Sequence, residues 1–270
     1  MAEKETLPLL LKARGKYLVP NAITAANMIL GLISVFYASK GFHATAAWII
    51  GYCIILDKLD GSTARMLKAS SEFGIQFDSF SDFVSFGIAP AYLVYSLFTI
   101  EPWSSAFEKS HESFFLYFSV LFFILMSATR LARFNVTTVP KTPFFFGLPT
   151  PGGAGFVMTF VLGCLKYDDV EFFRQLLTAA PYLLVIVGFL EITSFAMLKV
   201  GQRTGVGGKL FEVGGFIFLI YCFVTRSLPE VLFVMGVIFL LKTLYYNYRH
   251  RDEIQARLKA AGVEVETEED

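Results

Sequence analysis

Asp57-Lys58-Leu59-Asp60-Gly61-Ser62-Thr63-Ala64-Arg65 closes an apolar run that begins near residue 43, and Gly74-Ile75-Gln76-Phe77-Asp78-Ser79-Phe80-Ser81-Asp82 opens the next. Four carboxylates therefore stand within or beside stretches long enough to cross a bilayer. A charged Asp at the centre of a membrane helix costs about 2.5 to 3.5 kcal/mol on insertion scales, so four of them call for a compensating cation or a polar cavity. Helical spacing predicts how they are used. Asp57 and Asp60 are i, i+3 neighbours and Asp78 and Asp82 are i, i+4 neighbours, so each pair lies on one face of its helix. The link from Met66 to Phe73 is short, and the two helices are expected to be antiparallel neighbours that turn their acidic faces to one cavity. Hard oxygen ligands in that number suit Mg2+ or Mn2+.

Outward from this stretch the chain keeps a membrane character. Its 270 residues are 55% hydrophobic and 16% aromatic, with a mean hydropathy of +0.57, which excludes an ordinary soluble domain. A bilayer core of about 30 Å needs roughly 20 apolar residues per helical span. Eight such runs lie near 18–38, 43–66, 76–99, 113–134, 150–166, 177–198, 210–226 and 228–247. The expectation is an all-α polytopic membrane bundle of about eight transmembrane helices spanning 18–247. Residues 1–17, where Leu7 to Leu11 precede Lys12, Arg14 and Lys16, read as an N-terminal amphipathic interfacial helix. Residues 248–270 read as a solvated cytoplasmic tail.

Counting loops alternately puts most Lys and Arg on one side of the membrane. That side holds the N-terminal segment, Arg65, Arg130, Arg133, Lys199, Arg203 and Arg249, while Lys40, Lys109, Lys166, Arg174 and Arg226 fall on the other. The asymmetry predicts cytoplasmic termini, with the acidic cavity on the same side. Cys53, Cys164 and Cys222 fall inside spans, where they pack as small apolar residues rather than form disulfides. His43, His111 and His250 share no ligand spacing, and Glu191, deep in the sixth run, needs a polar partner.

Gly61 and Ala64 share the angular sector of Asp57 and Asp60. Small residues there leave either a flat patch where a planar ligand can lie beside the carboxylates or a surface for close helix packing. Arg65 is placed to pair with a phosphate or to snorkel to the interface.

Taken together, Asp57, Asp60, Gly61, Ala64, Arg65, Gly74, Asp78 and Asp82 fit D-x2-D-G-x2-A-R-x8-G-x3-D-x3-D at all eight positions. This pattern resembles the CDP-alcohol phosphotransferase family. Further segments, Pro20-Asn21 through Asn27, Ser85 to Pro90, Arg130 to Asn135 and Phe146 to Pro151, are similar to its membrane-embedded phosphatidylserine synthase branch. The resemblance covers about residues 18 to 160 and thins beyond, where Glu191 to Lys199 departs from the expected stretch. It implies transfer of a phosphatidyl group from CDP-diacylglycerol to the hydroxyl of L-serine with release of CMP. It also implies two divalent cations, Mg2+ or Mn2+, on Asp57, Asp60, Asp78 and Asp82, with Asp82 as general base. By the same resemblance Asn21, Thr24, Gly61, Ala64 and Arg65 would bind CDP-diacylglycerol, and Arg130, Arg133 and Asn135 would bind serine. The implied assembly is a homodimer in the cytoplasmic membrane, among membrane lipid and with no nucleic-acid partner.

Two other readings stay open. Arg130 and Arg133 at a helix end also satisfy the positive-inside bias, and relatives of this pattern that use glycerol 3-phosphate, inositol phosphate or choline as acceptor share the Asp cluster. A cation-coupled transporter would also place Asp inside the membrane, but no pair of spans repeats the pattern as inverted repeats do.

Overall fold

The computed structural model describes residues 3–67, 71–100, 110–136, 144–193, 195–198 and 206–250. The helices are α1 (Glu3–Ala38), α2 (His43–Met66), α3 (Glu72–Asp82), α4 (Ala89–Thr99), α5 (Ser110–Val136), α6 (Thr150–Lys166), α7 (Glu171–Leu177), α8 (Ala180–Ile192), α9 (Val206–Thr225) and α10 (Pro229–Arg249). A π-helical segment, Phe83–Ile88, joins α3 to α4 without a break. The all-α expectation holds for the body of the molecule. One exception is a short antiparallel ribbon, β1 (Phe144–Phe146) with β2 (Ala196–Leu198), in the register Phe144 to Leu198, Phe145 to Met197 and Phe146 to Ala196.

Each of the eight apolar runs becomes helical, but the count of eight crossings is not reached by length and apolarity. Among the described residues four stretches qualify, Tyr17–Ala38, Glu72–Thr99, Ser113–Val136 and Pro229–Arg249, and a fifth if α7 and α8, bent by 48°, form one span. The reasons are local. Helix α2 is 24 residues long but carries Asp57, Lys58, Asp60 and Arg65 in its second half. Helix α6 has 17 residues, about 26 Å at 1.5 Å per residue against a core of about 30 Å. The sixth run stops at Ile192, and its last residues form β2 instead of more helix. At the other end α1 is helical without a break from Glu3 to Ala38.

Helix α1 packs along α2, α5 along α8, and α6 fills the space between α2 and α10. Small residues set these distances. A Cβ on Gly51 would come within 2.1 Å of the Phe223 ring, and one on Gly31 within 2.9 Å of the Ser85 Cα, so both positions hold glycine where helices touch. The core behind the acidic helices is apolar, with Ile50, Phe86, Leu93, Leu97, Phe123, Met158 and Leu184 buried. Outward faces carry Ile29, Phe36, Phe114, Leu121, Ile186, Phe189, Ile238 and Leu241, all exposed, as lipid-facing surfaces require. Cys53, Cys164 and Cys222 are free and buried, as their apolar setting predicts.

Candidate active site

Helix α3 begins where Ser71 caps it, its Oγ accepting from the Gly74 amide at 3.0 Å. That cap fixes the helix register opposite the end of α2, and the two acidic faces meet as their spacing predicts. Carboxylate oxygens of Asp57, Asp60 and Asp78 lie within 4.8 Å of one another. Asp82, one turn beyond Asp78, is buried, and its carboxyl approaches that of Asp57 within hydrogen-bonding reach. The π-helical segment starts at the next residue. Its Ser85 hydroxyl donates to the Asn27 carbonyl at 3.1 Å, and the Ser81 hydroxyl to the Thr24 carbonyl at 3.0 Å, so α1 is tied to the acidic helix on both sides of Asp82. Thr24 itself donates to Asp60 Oδ2 at 2.9 Å and shares its proton with the Pro20 carbonyl at 3.1 Å.

The donor set fits a divalent cation. Two unit charges 4.8 Å apart repel by about 3 to 4 kcal/mol at an effective dielectric of about 20. Among the described residues no Lys or Arg closes an ion pair with any of the four aspartates. Oδ1 of Asp78 and Oδ1 of Asp82 are buried without a hydrogen-bond partner among the described residues, a state that normally signals a ligand, ion or water. Oxygen-only ligation of this kind is what Mg2+ takes up.

Above the carboxylates opens a cavity of about 560 Å3. Its walls include Asn21 and Thr24 from α1, Asp57, Asp60, Gly61, Ala64 and Arg65 from α2, Asp78 from α3, and Phe134 from α5. The residues that sequence reasoning assigned to the nucleotide side are thus gathered around one space. Among the described residues a Cβ built on Gly61 would meet no neighbouring atom within 4 Å, so this glycine makes no tight contact with them and faces the cavity it lines. Pro20, Lys58, Ser71, Ile75 and Phe134 also line it and were missed. Ser71 left a signal, as a serine preceding a short helical stretch with Glu72 in its first turn; the others left none.

The three residues suggested for the acceptor separate. Arg133 donates to the Ile192 carbonyl at 2.6 Å, with Glu191 and Thr193 carbonyls at 3.4 and 3.5 Å, and so caps the C-terminus of α8. The Asn135 amide donates to Ser79 Oγ at 2.9 Å and to Gln76 Oε1 at 3.3 Å, bracing α5 against the helix that carries Asp78 and Asp82. Only Arg130 turns inward: it is buried and lies within electrostatic reach of Asp82. None of the three lines the cavity, although Phe134 between them does.

Fold and site define a polytopic membrane protein in which two helices bring three carboxylates, Asp57, Asp60 and Asp78, to the wall of one cavity, with Asp82 buried one turn beyond. The sequence pattern of CDP-alcohol phosphatidyltransferases matches residues 17–190, and the chain belongs to that family. Similar proteins bear the name CDP-diacylglycerol–serine O-phosphatidyltransferase. One from Helicobacter pylori is 38% identical over 157 residues, 57% of this chain and 62% of the relative. One from Methanocaldococcus jannaschii is 34% identical over 169 residues, 57% of this chain and 73% of the relative. One from Bacillus subtilis is 33% identical over 135 residues, 49% of this chain and 69% of the relative. The matched region thus spans less than two thirds of the Helicobacter protein.

Proposed function

We propose that this chain transfers the phosphatidyl group of CDP-diacylglycerol to the hydroxyl of L-serine and releases CMP. The observation that carries this reading is the convergence of Asp57, Asp60 and Asp78 on one point at the base of a cavity. Seven of the eight pattern residues line that cavity, all but Asp82. The names of the relatives support serine as the acceptor.

In this reading Asp57, Asp60 and Asp78 would hold one divalent cation, and Asp78 and Asp82, with Asp60, a second. Mg2+ or Mn2+ bound there supplies positive charge against the diphosphate and the departing CMP. The chain's own groups do the rest. Gly61 and Ala64 leave a flat bed for the cytosine ring, Asn21 offers it an amide, and Arg65 faces the nucleotide phosphates. Thr24 holds Asp60 in place through its 2.9 Å hydrogen bond. The serine oxygen attacks the phosphatidyl phosphorus, the bond from that phosphorus to the CMP oxygen breaks, and the hydroxyl proton passes to the Asp82 carboxylate. The acyl chains stay in lipid beside α1, whose Ile29 and Phe36 are exposed. The distribution of basic residues puts both termini and the cavity on the cytoplasmic side, the lengths of the apolar runs let all eight cross the membrane, and the family resemblance implies a homodimer in the cell membrane.

Purified protein incubated with CDP-diacylglycerol, Mn2+ or Mg2+, and a panel of labelled alcohols tests the proposal. Labelled lipid and CMP are expected with serine. Product only with glycerol 3-phosphate, inositol phosphate or choline would move the acceptor and keep the family chemistry, whereas no CMP with any alcohol would sink the reading. Light scattering of the detergent-solubilised protein checks the dimer.

A further inference from the structure

Helix α2 turns a second, basic stripe to the cavity beside its acidic one. Lys58, Gly61 and Arg65 are spaced i, i+3, i+7 and all three line the cavity, so they share one side of the helix. Asp57, Asp60 and Ala64 run along the neighbouring side, with Asp57 about 100° round the helix from Lys58. Lys58 stands about 1.5 Å along the axis from Asp57, at the level of the carboxylates, while Arg65 stands about 10 Å further toward the helix end. The two cations therefore serve different depths of one space. Of the two, only Arg65 belongs to the eight-position pattern; Lys58 falls on one of its variable positions.

Lys58 is exposed and closes no ion pair, the sole pair among the described residues being Lys166 with Glu230. Successive residues on a helix do not face each other, which keeps the ammonium group from settling on Asp57. The neighbouring hydroxyls are turned away from the cavity's anions. Ser62 donates to the Lys58 carbonyl and Thr63 to the Leu59 carbonyl, both at 2.7 Å. Gly61 lies between the two cations without a side chain, and no described neighbour comes within 4 Å of the place a Cβ would take. Such a stripe suits a ligand whose negative charge lies beside the aspartates. Cations held by the carboxylates would meet a diphosphate from one sector, and its remaining oxygens need donors from the next. A lysine offers three rotatable donors on a compact charge and meets phosphate without a fixed fork.

Resting on the proposed donor, we infer that Lys58 is a further donor-binding residue, whose ammonium group takes a phosphate of the CDP-linked lipid at the depth of the carboxylates. Arg65 takes the charge nearer the helix end. The ligand class is a nucleoside diphosphate ester, and Lys58 is a contact for its phosphates, not for its base or for the acceptor.

Calorimetric titration of the full-length purified protein with Mn2+ alone, and with CDP in saturating Mn2+, tests the contact. Lys58→Gln should weaken CDP about tenfold, as loss of one charged hydrogen bond does, with Mn2+ itself bound no more weakly. Lys58→Arg keeps the charge and should recover most of the CDP affinity. In turnover Lys58→Gln should raise the KM for CDP-diacylglycerol by a similar factor at an unchanged KM for serine. Unchanged CDP affinity, or equal weakening of CDP and Mn2+, would overturn the inference and leave Lys58 a cation of the membrane surface. If Lys58→Gln fails to fold, wild type decides through amine acetylation read by mass spectrometry. CDP with Mn2+ should protect Lys58 and cytidine should not, while Lys40, exposed in the turn at the other end of α2, stays reactive throughout. Acetylation of Lys58 indifferent to CDP overturns the inference. The reading beneath it fails separately: protection of Lys58 by CDP, with no CMP released from CDP-diacylglycerol by any alcohol, overturns the transferase and keeps the phosphate contact.

Discussion

Gly61 separates a ligand bed from a packing surface, and Gly61→Ala turns that difference into opposite signs. Gly61 lies inside α2, five residues before its end at Met66, and is exposed. Alanine in place of glycine within a helix is worth about 0.8 to 1 kcal/mol in backbone propensity. None of the described neighbours opposes the new methyl, because none has an atom within 4 Å of it. The variant should therefore unfold later than wild type on heating in detergent. The same methyl projects into the 560 Å3 cavity, where a bound cytosine would have to shift. Overfilling a fitted site costs about 1 to 3 kcal/mol, which corresponds to a rise of roughly 5- to 150-fold in the KM for CDP-diacylglycerol. Thermal unfolding followed by intrinsic fluorescence gives the first quantity, and CMP release at varied donor and saturating serine gives the second. Earlier unfolding with an unchanged donor KM would refute the reasoning, since it would make Gly61 a helix-contact residue and leave the cavity wall elsewhere.

Other substitutions probe the rest of the site. Asp82→Asn is expected to abolish turnover while CMP still binds in calorimetry, because the side chain keeps its volume but takes no proton; a near-normal rate would remove Asp82 as base. Chelation with EDTA should stop CMP release and added Mn2+ or Mg2+ restore it, and full activity in excess chelator would contradict the reading of the carboxylate cluster. Arg133→Gln should lower stability by about 1.5 to 3 kcal/mol through loss of charged hydrogen bonds to the α8 terminus, seen as an earlier thermal transition, with a smaller effect on the donor KM. Gly51→Ala should destabilise by about 1 to 3 kcal/mol, because its Cβ would meet the Phe223 ring at 2.1 Å. Activity per folded molecule should hold, and a selective loss of donor binding would show that α2 transmits this contact to the cavity.

The chain's local chemistry already contained much of the site. Helical periodicity fixes which side chains share a face, so the pairing of Asp57 with Asp60 and of Asp78 with Asp82 needs no knowledge of the fold. Short connection then makes their meeting the simplest outcome. The apolar runs announced a membrane bundle for the same reason, since backbone polar groups in lipid must be satisfied within the helix. Residues without a periodic signal were harder to read. Phe144 to Phe146 carry no alternating pattern that marks a strand, yet they pair with a strand some fifty residues away.

What the sequence determined by itself is the set of carboxylates, their two faces, and the small residues beside them, because these depend on neighbours within a turn or two of one helix. The tertiary structure decided the use of everything reached across the bundle. Thr24 meets Asp60 from another helix, Arg133 is diverted to the end of α8, and Arg130 is buried within electrostatic reach of Glu191 and Asp82. An arginine carries the same charge in every loop; only packing settles whether that charge caps a helix, meets solvent or waits for a ligand.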